Sequence, residues 1–195
     1  MVKSSSINKY AEDMGIDDIK LHLGCGGQYI DGWINIDNFD YDPKDTSRDG
    51  SHYDIKMDIR KLDVKKLTVT RILMVHVLEH FVRWEAIKML SDYYTLLRKN
   101  GRLIIETPDL DKCIEWYLAN KDAPHINTPL GYLNMGFTQF YGNQWSEIDF
   151  ETHRYVWTKK ELQGVLRTIG FKKIKISNEA KFHQPGRDIF LIAEK

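Results

Sequence analysis

A chain of 195 residues with 42% hydrophobic content can bury one core of its own, and no linker rich in Pro or Ser divides it, so a single domain spanning residues 1–195 is expected. Its 28 Lys and Arg balance 28 Asp and Glu, which leaves no overall positive field to hold a nucleic-acid backbone or an anionic membrane surface. No apolar run approaches the ~18 residues of a membrane span, and residues 1–18 lack the apolar centre of a signal peptide. The two cysteines, Cys25 and Cys113, make neither a disulfide framework nor a paired metal-ligand spacing, which suits a reducing cytoplasm.

In chain order, Lys20–Leu23 reads as a first buried strand and Trp33–Asp37 as a second, entered from the Asp31-Gly32 turn. The stretch from Gly24 to Asp37 is too short for a crossover with its own helix, where an acid usually follows about 20 residues after the glycine turn. The first helix is therefore expected to be very short or absent. Residues 38–51 are polar and turn-rich, which predicts a loop. Its carboxylates Asp40, Asp42 and Asp45 lack the glycine and glutamate spacing of a calcium loop. Tyr53–Asp58 alternates as a strand near the sheet edge, and Arg71–Val75 is a short apolar run suited to the sheet centre.

Trp84, Ile87, Leu90, Tyr94 and Leu97 recur at helical steps, and Asn100-Gly101 supplies a stop before a fifth strand over Arg102–Glu106. Cys113 falls in a further predicted helix. Thr158-Lys159-Lys160-Glu161 is a capping box that opens a helix closed by Gly170. Phe171–Ile176 and Asp188–Ala193 are the last two strands. Strands alternating with helices imply a mostly parallel sheet that opens towards a ligand at the carboxyl ends of its first and fourth strands.

The first such strand breaks at Gly24-Cys25-Gly26-Gly27, where glycines let backbone approach a ligand closely, and the second ends on Asp37, which can accept from ribose hydroxyls. Tyr29 stands where a dinucleotide fingerprint needs its third glycine, which disfavours NAD. Leu21 to Gly27, followed by Gly32-Trp33-Ile34-Asn35-Ile36-Asp37, resembles the class I S-adenosylmethionine (SAM)-dependent methyltransferases. Within them it is similar to small type 11-like members found among bacterial surface-polysaccharide genes. The resemblance runs from about Lys20 to the C-terminus. It implies a Rossmann-like sheet of seven strands with the last antiparallel, SAM as cofactor and S-adenosylhomocysteine as product. Leu23, Gly24, Cys25, Gly26 and Gly27 would lie under the methionine part. Asp37 would take the ribose, Asp58 with Ile59 the adenine, and His76 or Glu79 would touch the cofactor end. The plain alternative for both acids is an ordinary turn at a strand end.

His76-Val77-Leu78-Glu79-His80 matches the zinc pattern H-x-x-E-H, but that reading needs the whole pentapeptide on one helix, and here it leaves a predicted strand. No metal ligand is expected. In the methyltransferases a similar His-x-Leu-Glu-His stretch lines the gap between cofactor and acceptor. Methyl transfer needs an in-line approach and removal of the acceptor's proton, so His80 and His153 are the candidate bases, each with the plain alternative of hydrogen-bonding a loop carbonyl. Residues 116–157 concentrate aromatic rings, from Trp116 and Tyr117 through Phe140 and Trp145 to Trp157, with turn residues between them, which predicts a partly irregular lid inserted over the strand ends. Trp145, Arg154 and Tyr155 are its candidate acceptor contacts; a small satellite core or a dimer contact is the alternative use of such rings. The reading is a methyltransferase acting on a small polar acceptor, best a sugar or nucleotide-sugar hydroxyl or amine. The alternatives are a SAM- or partner-binding module without catalysis, and a nucleic-acid methyltransferase, whose Asn/Asp-Pro-Pro-Tyr is absent after the fourth strand.

Overall fold

Leu21, Leu23, Ile34, Ile36, Ile72, Leu73, Met74, Leu103 and Ile105 are all but fully buried, so the strands that carry them must be covered on both faces. The computed structural model describes residues 6–38, 53–121, 125–128, 131–144 and 149–195. Strands β1 (Lys20–Leu23), β2 (Ile34–Asp37), β3 (Ile55–Lys56), β4 (Val69–Val75), β5 (Leu97–Pro108), β6 (His125–Thr128), β7 (Gly131–Asn134), β8 (Lys172–Ser177) and β9 (Asp188–Glu194) form two sheets. The main one has seven strands in the order β3-β2-β1-β4-β5-β9-β8, and β6 and β7 pair by themselves as a hairpin. From β3 to β5 every pairing is parallel; β9 lies antiparallel between β5 and β8. This is the Rossmann-like sheet expected, with its last strand reversed. Helices α1 (Ile7–Asp13), α2 (Arg83–Leu96), α3 (Leu110–Ala119), α4 (Thr138–Tyr141) and α5 (Lys159–Ile169) complete the described elements.

No helix lies between β1 and β2, as the short spacing predicted. What replaces it is a buried amide. Asn35, with no exposed surface, accepts on Oδ1 from the Ile30 amide and from His22 Nδ1, each at 3.0 Å. Its Nδ2 donates to the carbonyls of Ile30 and Trp33 and to Asp54, each at 3.1 Å. Asp54 in turn accepts from the hydroxyls of Tyr29, at 2.9 Å, and Tyr10, at 3.1 Å. Tyr29, at the position of the missing glycine, thus ties the shortened loop to the chain just before β3. Both ends of the Asn35 amide are matched within this network, so its burial carries no unpaired-group cost.

Three expectations are corrected, and one helix is added. Helix α2 turns Ala86, Met89, Leu90, Tyr93 and Leu96 to the core, while Trp84 is 68% exposed. The Asn100-Gly101 stop does not end that helix, which closes at Leu96; Asn100, at φ 60°, marks instead a break in the register of β5 against β4 between Val69 and Arg71. Helix α1, unexpected, buries Ile7 and Ala11 and is tied down by the Ile7 amide on the Asp63 carbonyl at 2.9 Å. The capping box forms only in part: Thr158 Oγ1 accepts from the Glu161 amide at 3.2 Å, but the Glu161 carboxylate goes to the Tyr155 hydroxyl and Arg83 instead. Among the described residues no helix is long and apolar enough to cross a membrane.

Candidate active site

Parallel strands leave their carboxyl ends free of partners where the order reverses, here between β1 and β4. A cleft of about 610 Å³ opens there, lined by Gly24, Gly26, Asp37, Asp58, Ile59, His76, His80 and Arg154 among others, a size suited to a nucleoside with a tail. Gly24 and Gly26 both have left-handed backbone, at φ 65° and 50°. A Cβ on Gly24 would come within 2.6 Å of a Val77 methyl, whereas one on Gly26 would stand in open space. The turn therefore offers bare backbone to the cleft. Leu23 and Cys25 are buried behind it, and the Gly24 amide is held by the Ile36 carbonyl at 2.8 Å. Gly27 is exposed and is not among the cleft-lining residues.

Asp37 Oδ2 accepts from the Gly26 amide at 2.8 Å and Oδ1 from the Asn38 amide at 2.7 Å, which aims the carboxylate across the glycine turn. Asp58 also lines the cleft, but Arg60 holds it in a fork, with Nε at 2.9 Å and Nη2 at 2.8 Å. That hydrogen bonding holds the Asp58 carboxyl below its ordinary range. An adenine amino group would share Asp58 with a cation two residues away, which the strand-end pattern could not reveal. Ile59 lies beside it, its carbonyl fixed by the buried Tyr93 hydroxyl at 2.9 Å.

His76 follows β4 at φ 51° and is occupied on both nitrogens: Nδ1 lies 2.8 Å from Glu79 Oε1 and Nε2 2.8 Å from Asp188 Oδ2. Burial alone would lower its pKa, but hydrogen bonds to Asp188 and Glu79 outweigh that and hold it up at about 9. A doubly held imidazolium is no base. Glu79, expected at the cofactor end, is instead fully buried and does not line the cleft; its Oε2 accepts from Thr107 Oγ1 at 2.9 Å, and its main-chain carbonyl accepts from the Arg154 and Tyr155 amides. Asp188, fully buried, also receives Arg187 Nε at 2.5 Å and the Gln184 amide at 3.1 Å. Sequence spacing could not couple Asp188 to a histidine just past the end of another strand.

His80 and His153 meet edge to face, ring centroids 5.1 Å apart, at the junction of two spaces. His80 lines the cleft; His153 lines a second pocket of about 470 Å³ with Tyr117, Phe137, Phe140, Tyr141 and Tyr155, and Arg154 lines both. The segment carrying His153 is held by its amide on the Tyr141 carbonyl and by a bridge between Gly142 and Thr152. His80 Nδ1 lies 3.1 Å from the Thr152 carbonyl, and His153 Nδ1 3.4 Å from that of Gln139. Carbonyls only accept, so Nδ1 donates in each ring. Burial lowers the His153 pKa to about 4, so the ring is neutral at neutral pH.

Arg154 pairs with Asp149 at 2.7 Å, an exposed and therefore weak pairing that leaves the guanidinium available. The Tyr155 hydroxyl is committed to Glu161, so only its ring reaches the pocket. Within the lid, Tyr117 stacks on Phe137 at 5.5 Å, while Trp157 is fully buried and belongs to the core. Trp145 and the loop carboxylates Asp40, Asp42 and Asp45 lie outside the described residues.

Residues 21–176 match the model of a family described as a methyltransferase domain. The chain belongs to that family. This methyltransferase shares its fold with solved SAM-dependent enzymes at low identity. It is 15% identical to one from Archaeoglobus fulgidus over 97% of this chain and 91% of that one, with TM-score 0.57. A Methanosarcina mazei structure of SAM-dependent methyltransferases is 15% identical over 92% of each chain, with TM-score 0.58. The 1,6-didemethyltoxoflavin-N1-methyltransferase of Burkholderia thailandensis, solved with 1,6-didemethyltoxoflavin and S-adenosylhomocysteine, is 16% identical over 96% of this chain and 75% of that one, with TM-score 0.56. No curated protein matches the methyltransferase in sequence.

Proposed function

We propose that this methyltransferase binds SAM in the β1/β4 cleft and methylates a small polar acceptor held in the aromatic pocket. The observation that carries the reading is the junction: a cleft with a bare glycine turn and an aimed carboxylate meets an aromatic pocket at His80, His153 and Arg154. Gly24 and Gly26 give room for the methionine part, Asp37 accepts from the ribose hydroxyls, and Ile59 with Asp58 faces the adenine. When bound, SAM supplies a methyl group already activated on a sulfonium. The protein's part is then alignment, exclusion of water and acceptance of the acceptor's proton at Nε2 of His80 or His153.

Flat aromatic walls and a guanidinium suit a sugar or nucleotide-sugar, whose C–H faces pack on rings and whose phosphate or carboxylate pairs with Arg154. A place in surface-polysaccharide assembly in the cytoplasm follows from the resemblance in sequence, and two free, buried cysteines fit a reducing compartment. The test is calorimetry of S-adenosylhomocysteine with wild type and Asp37→Ala, followed by labelled SAM on a panel of sugar and nucleotide-sugar acceptors. Asp37→Ala is expected to weaken binding by ~1 to 3 kcal/mol, from a few-fold to over a hundredfold. Absence of cofactor binding by wild type sinks the cofactor reading; binding without transfer to any acceptor sinks the acceptor class.

A further inference from the structure

The pentapeptide His76–His80 fails as a helical zinc motif because His76 turns away and is occupied by two carboxylates. Its other two polar members, however, meet a residue from the far side of the lid. A carboxylate oxygen of Glu79 and one ring nitrogen each of His80 and His153 lie within 4.8 Å of one another. Ligand atoms around a tetrahedral ion at about 2.1 Å stand about 3.4 Å apart, so side-chain shifts of about 1 Å would close the set.

Two observations besides proximity point to a ligand. Both histidines present Nδ1 to backbone carbonyls, of Thr152 and Gln139, which leaves Nε2 as the nitrogen to offer a ligand; this is the outer support that orients metal-binding imidazoles. Glu79 has no exposed surface; its Oε1 lies 2.8 Å from His76 Nδ1 and its Oε2 accepts from Thr107 Oγ1, and each carboxylate oxygen has a further lone pair to give. A second group, His76, His183 and Asp188, is as close, but the Arg187 guanidinium, which unlike the His76 imidazolium beside Glu79 cannot give up its charge, lies 2.5 Å from Asp188 and 3.4 Å from His76 and would repel a cation there.

We propose that Glu79, His80 and His153 form a site for a divalent first-row transition-metal ion, with its open coordination positions facing the junction of cleft and pocket. Two imidazoles and one carboxylate are a donor set such ions accept with positions left for exogenous ligands. Placed there, the ion would hold an acceptor oxygen and lower its affinity for a proton, work otherwise assigned to a histidine base. That consequence rests on the methyltransferase reading; the binding itself does not.

The test uses metal-stripped full-length protein without acceptor, titrated with Mn²⁺ by electron paramagnetic resonance and with Zn²⁺ by calorimetry. One equivalent is expected to bind, at least tenfold more weakly in His80→Ala, His153→Ala and the bulk-conserving His153→Gln, and unchanged in His183→Ala. S-adenosylhomocysteine affinity near that of wild type in the His153 variants shows that they are folded. The proposal is overturned if wild type binds neither ion stoichiometrically, if binding survives both His153 substitutions, or if it is lost only in His183→Ala. An ion bound by a protein that transfers no methyl group upholds the site and refutes the enzyme reading; transfer by a protein that binds no ion does the reverse.

Discussion

Gly24 and Gly26 share left-handed backbone, yet one added methyl group acts differently at each. At Gly24 it meets buried Val77 at 2.6 Å, so overpacking adds to backbone strain, and Gly24→Ala is expected to destabilise the fold by about 2 to 4 kcal/mol. At Gly26 nothing stands within 4 Å, so Gly26→Ala costs only the strain of about 1 to 2 kcal/mol while its methyl group enters the cofactor cleft. Thermal melts paired with S-adenosylhomocysteine titrations separate the two, since Gly26→Ala should lose more affinity than stability; equal losses of both at each position would refute the distinction. Burial pushes the Cys25 and Cys113 thiols up to about 12. Only about one in 10⁴ is ionised at pH 8, so native protein should react negligibly with a disulfide reagent, with the rate rising about tenfold per pH unit, and both thiols should titrate after denaturation. Fast stoichiometric labelling at pH 8 would overturn this. The glycine turn and Asp37 were legible because their chemistry is local; Arg60, two residues beyond Asp58, was missed because a cation after a strand gives no sign that it folds back.

Strand β5 does more than complete the sheet. Its Glu106, fully buried, accepts three consecutive backbone amides, those of Lys181, Phe182 and His183, at 2.7, 3.0 and 2.6 Å. That nest fixes the loop that brings His183 against His76, ring centroids 4.2 Å apart. Glu106→Gln replaces one acceptor oxygen by an amino group facing those donors. The expected result is a loss of about 1 to 3 kcal/mol, a melting point lower by about 2 to 4 °C per kcal/mol, and faster hydrogen exchange at residues 181–183. Unchanged exchange at those amides would show that Glu106 does not hold the loop. Strands β1, β2 and β4 were readable from their runs of buried residues, although β2 begins one residue later, at Ile34, and β4 two residues earlier, at Val69, than the sequence suggests. The face of α2 was not, since its apolar residues outnumber the core positions and Trp84 and Ile87 satisfied the period equally well; α1 carries too few apolar residues for any period to show.

For the whole molecule, the proposed cofactor site links ligand and stability, because its glycine turn, Asp37 and Ile59 come from three separate segments that only the folded sheet assembles. Cofactor product at about 100 times its dissociation constant should add about 2.7 kcal/mol, raising the melting point by about 5 to 10 °C. Asp37→Ala should shrink that rise at the same ligand concentration, and no rise in wild type at saturation would remove the cofactor from this cleft. The layered architecture was legible from alternation of strand and helix, whereas the pairing of His80 with His153 was not, since no local pattern records which loop a lid brings back over the sheet. Strand β9 is last in the chain yet sits inside the sheet, between β5 and β8. Until the ribosome has delivered residues 188–194, β5 and β8 each expose an unpaired backbone edge, so the sheet can close only after β9 has followed β8 out of the ribosome.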